Sequence, residues 1–367
     1  MKQVLAATTA LSVIACSAYA GGVERNSFSS RVLFEDGRYA EFSFGGVSPS
    51  VSGTEVAPVG ADASGSMAPG YFRFGAAYKA DLNENLSYAL IFDEPFGAGV
   101  NYAAGTDYFA EGSTAFLYSY AVTALLKYTT PSDFSVYGGL RVQTLGARAD
   151  IPFIGGYTAN GAVDEGFGYL VGVAYERPEI ALRAALTYTS SINHQIETAE
   201  TSATAVPDGT STTSVNTPQS LKLELQSGVA EDTLVFGSVN WVNWSNFDIS
   251  PTNYGIITTG GSLVSYDSDT ITYTLGVGRR LNDNWSVSGS VGYEAPTGGF
   301  ASNLGPTDGS TSVSLGAQYS EGNMTISGGV SYIFVGSAET TLGGGVAASD
   351  FSGNNAIGAG IRVGMKL

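Results

Sequence analysis

Charge is scarce in this sequence. Only 13% of its 367 residues are Asp, Glu, Lys or Arg, which is about half of what soluble domains carry. Long apolar runs are also missing after the first twenty residues. This excludes a helical membrane protein, because each spanning helix needs about 20 consecutive apolar residues. The formal net charge of −17 argues against nucleic acid as a partner.

Cysteine and histidine are almost absent. The chain has one of each, Cys16 and His194, so it offers neither a disulfide framework nor a Cys/His metal site. A Ser-His-Asp arrangement around His194 is conceivable only through the fold, and nothing else in the chain points to catalysis. We therefore expect no enzyme activity, no cofactor and no metal ion.

The N-terminal sequence is typical of a signal peptide. Lys2 is followed by an apolar stretch from Val4 to Ile14 and by the small-x-small site Ala18-Tyr19-Ala20, which predicts cleavage of residues 1–20. An alternative is a lipoprotein signal in which Cys16 is lipidated. Cleavage after Ala20 leaves an exported chain without cysteine, so it must be stable without disulfides.

Apolar residues alternate with small or polar ones along most of the remaining chain. Such a pattern predicts strands with two different faces, and fourteen such segments can be counted, the last ending at Leu367. The chain also holds 49 Gly, 21 Tyr and 18 Phe. An exported chain with few charges, many aromatics and period-two segments is typical of a transmembrane β-barrel.

The connectors alternate in length. Short ones rich in turn residues occur around residues 82–85, 130–133, 176–179, 230–232, 282–284 and 320–323. Long ones lie near residues 46–70, 94–113, 149–166, 190–217, 247–269, 295–311 and 336–354. Outer-membrane barrels have short periplasmic turns and long extracellular loops, whereas a secreted sandwich would not alternate in this way. The even strand count places both termini on the periplasmic side.

One long segment resembles a known family. TPQSLKLELQSGVAEDTLVFGSVNWVNWSNF, from Thr217 to Phe247, is similar to outer-membrane long-chain fatty-acid and hydrocarbon transporters of the FadL/TodX type. In that family a strand begins at a Thr-Pro-x-Ser motif, and the strand that pairs with it ends at a Trp-x-x-Trp-Ser-x-Phe motif. FDEPFGAGVNY, GVGRRLNDNWSVSGSVGYE and GGVSYIFVGSAET fit the same pattern.

The resemblance implies a monomeric, 14-stranded antiparallel barrel with an N-terminal plug. Here the barrel would span residues 39–367 and the plug residues 21–38, with Arg25, Phe28, Arg31 and Phe34 as its candidate residues. This plug is shorter than is usual in the family and lacks the Asn-Pro-Ala motif. The resemblance also implies a third strand that opens the barrel wall sideways.

Two sets of residues are candidates for handling a hydrophobic substrate. The third long loop carries an apolar cluster for capture, at Ile151, Phe153, Ile154 and Tyr157. Pro95 donates no ladder hydrogen bond, and Gly97 and Gly99 weaken strand pairing, so a lateral opening is expected there. The alternatives are a cluster that only packs the loops and a loop that simply begins at Pro95.

Cationic side chains dominate the face opposite the apolar one. Four arginines fall on this face, which would line the lumen: Arg73, Arg141, Arg183 and Arg362. Together with Arg25 or Arg31 they could pair with a substrate carboxylate. The alternative is a set of lumen salt bridges with Glu224, Asp36 or Glu24. The sequence does not decide between the two.

Together these features predict a multi-pass outer-membrane channel for hydrophobic compounds, in contact with membrane lipid and lipopolysaccharide. The resemblance favours long-chain fatty acids over aromatic hydrocarbons as substrates. A general or small-solute porin and a surface adhesin or structural barrel are the alternatives. A plugged barrel should pass little ion current, which would separate a transporter from a porin.

Overall fold

A computed structural model describes residues 22–25 and 28–367. The predicted signal peptide, with Cys16, lies outside the described residues. Fourteen strands form one closed antiparallel barrel, which confirms the predicted fold. In chain order they are β1 Tyr39–Ser50, β2 Tyr71–Asp81, β3 Leu86–Asp93 with its continuation Gly97–Asn101, β4 Thr114–Thr129, β5 Phe134–Ile151, β6 Asp164–Arg177, β7 Leu182–Thr189, β8 Ser220–Ala230, β9 Thr233–Val242, β10 Thr270–Arg280, β11 Trp285–Glu294, β12 Ser310–Glu321, β13 Met324–Val335 and β14 Asn355–Lys366.

The last strand closes the barrel on the first. β14 pairs with β1 along its whole length, from Tyr39 opposite Lys366 to Ser50 opposite Asn355. Closure leaves no unpaired sheet edge at this seam, as a barrel in lipid requires. The predicted loop at residues 46–70 therefore begins later, because Val47 and its neighbours still pair with β14.

Side chains alternate between the two surfaces of the barrel wall. Phe72, Leu140 and Leu275 are 72%, 72% and 66% exposed on the outside, whereas Lys79 and Arg141 are 2% and 3% exposed inside. An apolar outer belt around a polar interior is what a barrel presents to lipid. In the described parts of the chain, no helix is long and apolar enough to cross a membrane.

Short turns close one end of the barrel, and their sequences explain them. Asn83 Oδ1 accepts a hydrogen bond from the Leu86 amide at 2.9 Å, and Asn282 Oδ1 accepts one from the Trp285 amide at 2.9 Å. An asparagine side chain that bonds to its own turn fixes a tight connection. The six predicted turns are confirmed within one to two residues at each end.

The long loops at the other end contain structure of their own. Strands Ile192–Thr201 and Gly209–Thr217 form a hairpin where a plain loop at residues 190–217 is predicted. Its Ser- and Thr-rich sequence has too few apolar residues to reveal it. A small sheet joins Phe300–Ala301, Ala338–Thr341, Ala347–Phe351 and Thr54–Glu55, and one short helix spans Thr252–Ile257.

The 3₁₀ turn Arg31–Phe34 lies inside the barrel at the short-turn end. Leu33 is completely buried, and the turn packs against inward side chains of several strands, including Leu125, Tyr137 and Ala185. The Phe34 and Tyr137 rings meet edge to face at 6.1 Å. We refer to Arg31–Phe34 as the inner turn and to Gly22–Arg25 as the N-terminal segment.

Candidate functional site

Two small apolar cavities lie between the long loops and the upper half of the barrel. Their volumes are about 60 and 70 Å³, and we refer to them as the outer cavities. They share the lining residues Val23, Ala98, Val100 and Leu304. Of the residues that the structure describes, Arg148 is the one charged residue that lines the first cavity, and no charged residue lines the second. Small side chains such as Ala98 leave this space open between larger neighbours.

The N-terminal segment forms the floor between the outer cavities and the lower lumen. It pairs with the interruption of β3: the Arg25 amide donates to the Pro95 carbonyl at 2.8 Å, and the Gly97 amide donates to the Val23 carbonyl at 2.8 Å. The segment thus takes up backbone groups that an interrupted strand leaves without a ladder partner.

Trp244 holds the N-terminal segment from above. It is 1% exposed and contacts the rings of Phe96, Phe247 and Tyr266, with centroids 5.9, 5.5 and 5.2 Å away. A Cβ on Gly22 would lie 2.3 Å from the Trp244 ring. Only glycine therefore fits this contact, and the φ of +111° at Gly22 also favours glycine.

The Trp-x-x-Trp-Ser-x-Phe motif has a structural explanation. Asp269, at the edge of β10, accepts hydrogen bonds from Trp241 Nε1 at 3.1 Å, Asn243 Nδ2 at 2.8 Å and Ser245 Oγ at 2.7 Å. These bonds fix the turn that points Trp244 into the barrel. The motif was identified from sequence as a family signature, but its contact with Gly22 was not predicted.

The predicted capture cluster lies in loop packing beside the outer cavities. Ile151 and Tyr157 are 1% and 0% exposed, and Tyr157 donates a hydrogen bond to Glu200 at 2.8 Å. Phe153 packs edge to face on Phe109 at 5.4 Å, and with Ile154 it is partly buried against the same core. None of these four residues lines either outer cavity, so their role in binding stays a prediction.

The barrel wall is interrupted between β2 and β3. Pairing of the two strands runs from Asp81 opposite Ser87 to Ala76 opposite Phe92 and ends there. The continuation of β3, which contains Gly97 and Gly99, takes β4 as its strand partner. Among the described residues, no strand pairs with β2 on this side beyond Ala76.

Polar groups cap the edge left by the interruption. Glu94 Oε1 accepts from the Phe74 amide at 3.1 Å, and Arg73 donates to the Arg25 carbonyl at 2.6 Å. Arg25 lies 3.9 Å from Glu94 and 4.5 Å from the centre of the Tyr71 ring. Unpaired backbone groups are costly in lipid, and Glu94 satisfies the Phe74 amide at this edge. Sequence analysis did not single out Glu94, although it lies within the quoted FDEPFGAGVNY segment.

A third cavity, of about 180 Å³, lies at this interruption, and we refer to it as the wall cavity. Its inner side includes Ser43, Arg73, Gly75 and Arg362. Its outer side is formed by aromatic rings of the lipid-facing surface, Phe44, Phe74 and Phe92. The cavity therefore connects the lumen with the outer face of the barrel.

The predicted lumen arginines all face inward, and each has a partner. Arg141 forms an ion pair with Asp93 at 2.9 Å, Arg183 donates to Gln226 at 3.0 Å, and Arg362 lies 4.0 Å from Glu41. Sequence reasoning named neither Asp93 nor Glu41 as a partner. Of the predicted anions, Glu224 accepts from Ser29 at 2.7 Å, and Asp36 pairs with Lys366 at 3.1 Å.

The candidate plug residues make contacts inside the barrel. Arg31 forms ion pairs with Glu35 and Glu41. Phe34 lies between two cations, with Lys127 Nζ 4.5 Å and the Arg183 guanidinium 4.8 Å from its ring centre. Phe28 lies 5.9 Å from the Arg141 guanidinium. Aromatic and ionic contacts of this kind hold the inner turn against one side of the lumen.

Glu24 is the acidic group of the N-terminal segment. Burial raises its pKa from an ordinary 4.5 to about 7, the positive charge of Lys222 opposes this shift, and the negative charge of Glu294 adds to it. Glu24 lines a small cavity of about 30 Å³ together with Phe28, Pro95 and Arg141. The segment is therefore most compatible with this site when Glu24 is protonated.

His194 fixes the base of the loop hairpin. It is fully buried, its Nδ1 lies 3.1 Å from Asp164 Oδ2, and its Nε2 lies 3.3 Å from Gln143 Nε2. Burial lowers its pKa, against the raising effect of Asp164. A neutral imidazole that donates to Asp164 and accepts from Gln143 satisfies both ring nitrogens. Across residues 22–25 and 28–367, no three His, Cys, Asp or Glu side chains are grouped to hold a metal ion.

Comparison with solved structures identifies the architecture. A FadL homologue of Pseudomonas aeruginosa superimposes with a TM-score of 0.75 at 13% sequence identity, over 91% of each chain. The chain has a FadL-type barrel fold. The toluene transporter TodX of Pseudomonas putida gives a TM-score of 0.69 at 13% identity, over 96% of this chain and 99% of its own.

The FadL-type fold extends to a third solved structure. The Ralstonia pickettii toluene transporter TbuX gives a TM-score of 0.63 at 14% identity, over 96% of both chains. No protein-family model and no curated protein matches the sequence. The likeness therefore lies in the FadL-type backbone, and the predicted resemblance to this kind of barrel is confirmed at that level.

Proposed function

We propose that this protein is an outer-membrane channel that imports hydrophobic compounds. The interruption between β2 and β3, with the wall cavity across it, carries the proposal. A hydrophobic solute in the lumen gains free energy by moving into lipid rather than into water, at about 25 cal/mol for each Å² of apolar surface. A side passage into the bilayer allows this, whereas a water-filled pore along the axis does not.

The proposed route begins in the outer cavities, whose apolar linings suit capture of a solute from the cell surface. It then passes the N-terminal segment, where Val23 separates these cavities from the space below. It ends at the wall cavity. Residues 21–38 act in this proposal as the predicted plug, and Pro95, Gly97 and Gly99 form the lateral opening by interrupting β3.

The outer cavities favour neutral compounds of modest size. The second contains no charged lining residue, and two of the predicted carboxylate-binding arginines, Arg141 and Arg183, already bind protein partners. TodX and TbuX, which have the same fold, are toluene transporters. We therefore propose small hydrocarbons as the first candidates. Long-chain fatty acids are the second candidate, favoured by Arg73 and Arg362 at the wall cavity.

The same proposal places the protein as a monomer in a bacterial outer membrane, in contact with lipopolysaccharide at the loop end. An even number of strands puts both termini at the short-turn end. Outer-membrane barrels keep short turns in the periplasm, so both termini would be periplasmic.

Uptake by whole cells tests the proposal. We expect cells that express the protein to accumulate radiolabelled toluene, or oleate in a parallel assay, faster than cells without it. Ala98→Phe fills both outer cavities and should abolish the difference, whereas Ala203→Phe, at an exposed loop position, should not. Equal accumulation with and without the protein for both compounds would refute hydrophobic uptake.

A further inference from the structure

Phenylalanine is concentrated on one part of the lipid-facing surface. A row of four rings crosses β1 to β4, with centroid distances of 6.5 Å from Phe42 to Phe74, 6.0 Å from Phe74 to Phe92 and 6.1 Å from Phe92 to Tyr120. Phe44 and Phe72 form a second, stacked pair beside this row, with centroids 5.5 Å apart and planes at 17°. We refer to these six side chains as the aromatic patch.

The patch differs from the rest of the outer surface in the number of rings that it joins. Many outward residues of the other strands are aliphatic and exposed: Leu140, Val171, Leu275, Val291, Leu315 and Val330. Outward aromatic contacts on those strands are pairs, such as Tyr169 with Tyr188 and Trp285 with Tyr319. Contact with acyl chains, which aliphatic side chains also make, therefore does not explain a cluster of six rings on β1 to β4.

The aromatic patch borders the wall cavity, where a solute would leave the lumen. Phe44, Phe74 and Phe92 form the outer side of the wall cavity, so they are the first side chains that a solute meets on leaving the lumen. Gly75, beside Phe74, adds no side chain to the inner side of this cavity. The patch is thus continuous with the proposed exit.

We propose that the aromatic patch is an exit site that binds planar aromatic rings as they pass from the lumen into the bilayer. The inference rests on the proposed function and adds a selectivity: rings stack on or pack edgewise against the exposed phenylalanines, whereas saturated compounds of equal size gain no such contact. The exit site lowers the free energy of the emerging aromatic compound and so speeds its release from the wall cavity.

Toluene and methylcyclohexane provide the test, because they share a carbon skeleton and differ in aromaticity. Uptake of each radiolabelled compound is measured with the wild-type protein, with Phe44→Leu/Phe74→Leu/Phe92→Leu and with the control Phe167→Leu/Phe334→Leu. The control removes two exposed aromatic side chains that do not line the wall cavity. Leucine keeps the surface apolar, and heat-modifiable gel mobility confirms that each variant is folded.

The triple variant is expected to lower the ratio of toluene uptake to methylcyclohexane uptake by roughly threefold or more, and the control to leave it unchanged. An unchanged ratio in the triple variant, or an equal loss of both compounds, would overturn the exit site while the proposed function stands. If the wild-type protein imports neither compound, the proposal of small hydrocarbons as substrates falls and the exit site with it, and uptake of oleate then decides whether hydrophobic uptake stands.

Discussion

At the scale of single residues, buried ion pairs stabilise the lumen, and the effect of removing one charge depends on the partner that it leaves behind. Arg141 and Asp93 are 3% and 4% exposed, and Arg141 also donates to Thr123 at 3.2 Å. Removing one partner of such a pair leaves an uncompensated charge in a site with little water. The inward orientation of Arg141 could be predicted from the sequence, but its partner could not, because β3 and β5 lie on either side of β4 and the two side chains meet over its inner face.

Arg141→Leu is expected to destabilise the barrel by about 3–5 kcal/mol, because Asp93 would lose its counter-charge. The double variant Arg141→Leu/Asp93→Leu should recover most of that loss, since no buried charge remains. Urea unfolding in lipid vesicles measures both. A double variant as unstable as the single one would contradict this account of the pair.

Glu24 makes the docking of the N-terminal segment depend on pH. Its pKa in the folded protein, about 7, lies above the ordinary 4.5, so docking is strongest below about pH 4.5 and weakens as the pH rises through 7. Between pH 5 and pH 8 we expect faster amide hydrogen exchange in residues 22–25, after correction for the intrinsic rate. Glu24→Gln should remove this pH dependence, and persistence of the effect in that variant would rule Glu24 out.

At the scale of elements, alternation predicted the strands well because each has one face in lipid and one in the lumen. The contrast between Leu275, which faces outward, and its small neighbours, which face inward, can be recognised from the sequence alone. The loop hairpin at Ile192–Thr201 was missed because its faces differ little in polarity. The contact of Gly22 with Trp244 joins the two ends of a long stretch of chain, and no local pattern encodes it.

Pro95 is expected to keep β3 from continuing along β2. Pro95→Val restores a backbone donor and a residue that favours strands, so the wall should close further toward the loops. We expect uptake of hydrophobic compounds to fall several-fold in this variant, with unchanged heat-modifiable mobility. Pro131→Val, in a short turn, is the matched control, and uptake equal to wild type in both variants would argue against a role for Pro95.

At the scale of the whole molecule, the segments that fill the barrel lumen distinguish a transporter from an open porin. The inner turn packs against β3 to β7, and the N-terminal segment covers the space below the outer cavities. We therefore expect little ion current in planar bilayers from the wild-type protein. Replacing Phe34 and Leu33 by Ala should loosen the inner turn and raise the current, whereas large steady conductance in the wild type would favour a porin.

Sideways exit is the central claim, and Gly75→Leu tests it most directly. A Cβ at Gly75 lies 2.6 Å from Ser43 Oγ, a hydroxyl that can rotate away, so the variant should fold while its side chain fills the wall cavity. Gly289→Leu, where a Cβ makes only an ordinary 3.6 Å contact with Leu315, is the control. The account predicts that Gly75→Leu binds toluene but no longer imports it, and that Gly289→Leu does both. Undiminished toluene uptake by Gly75→Leu would contradict it.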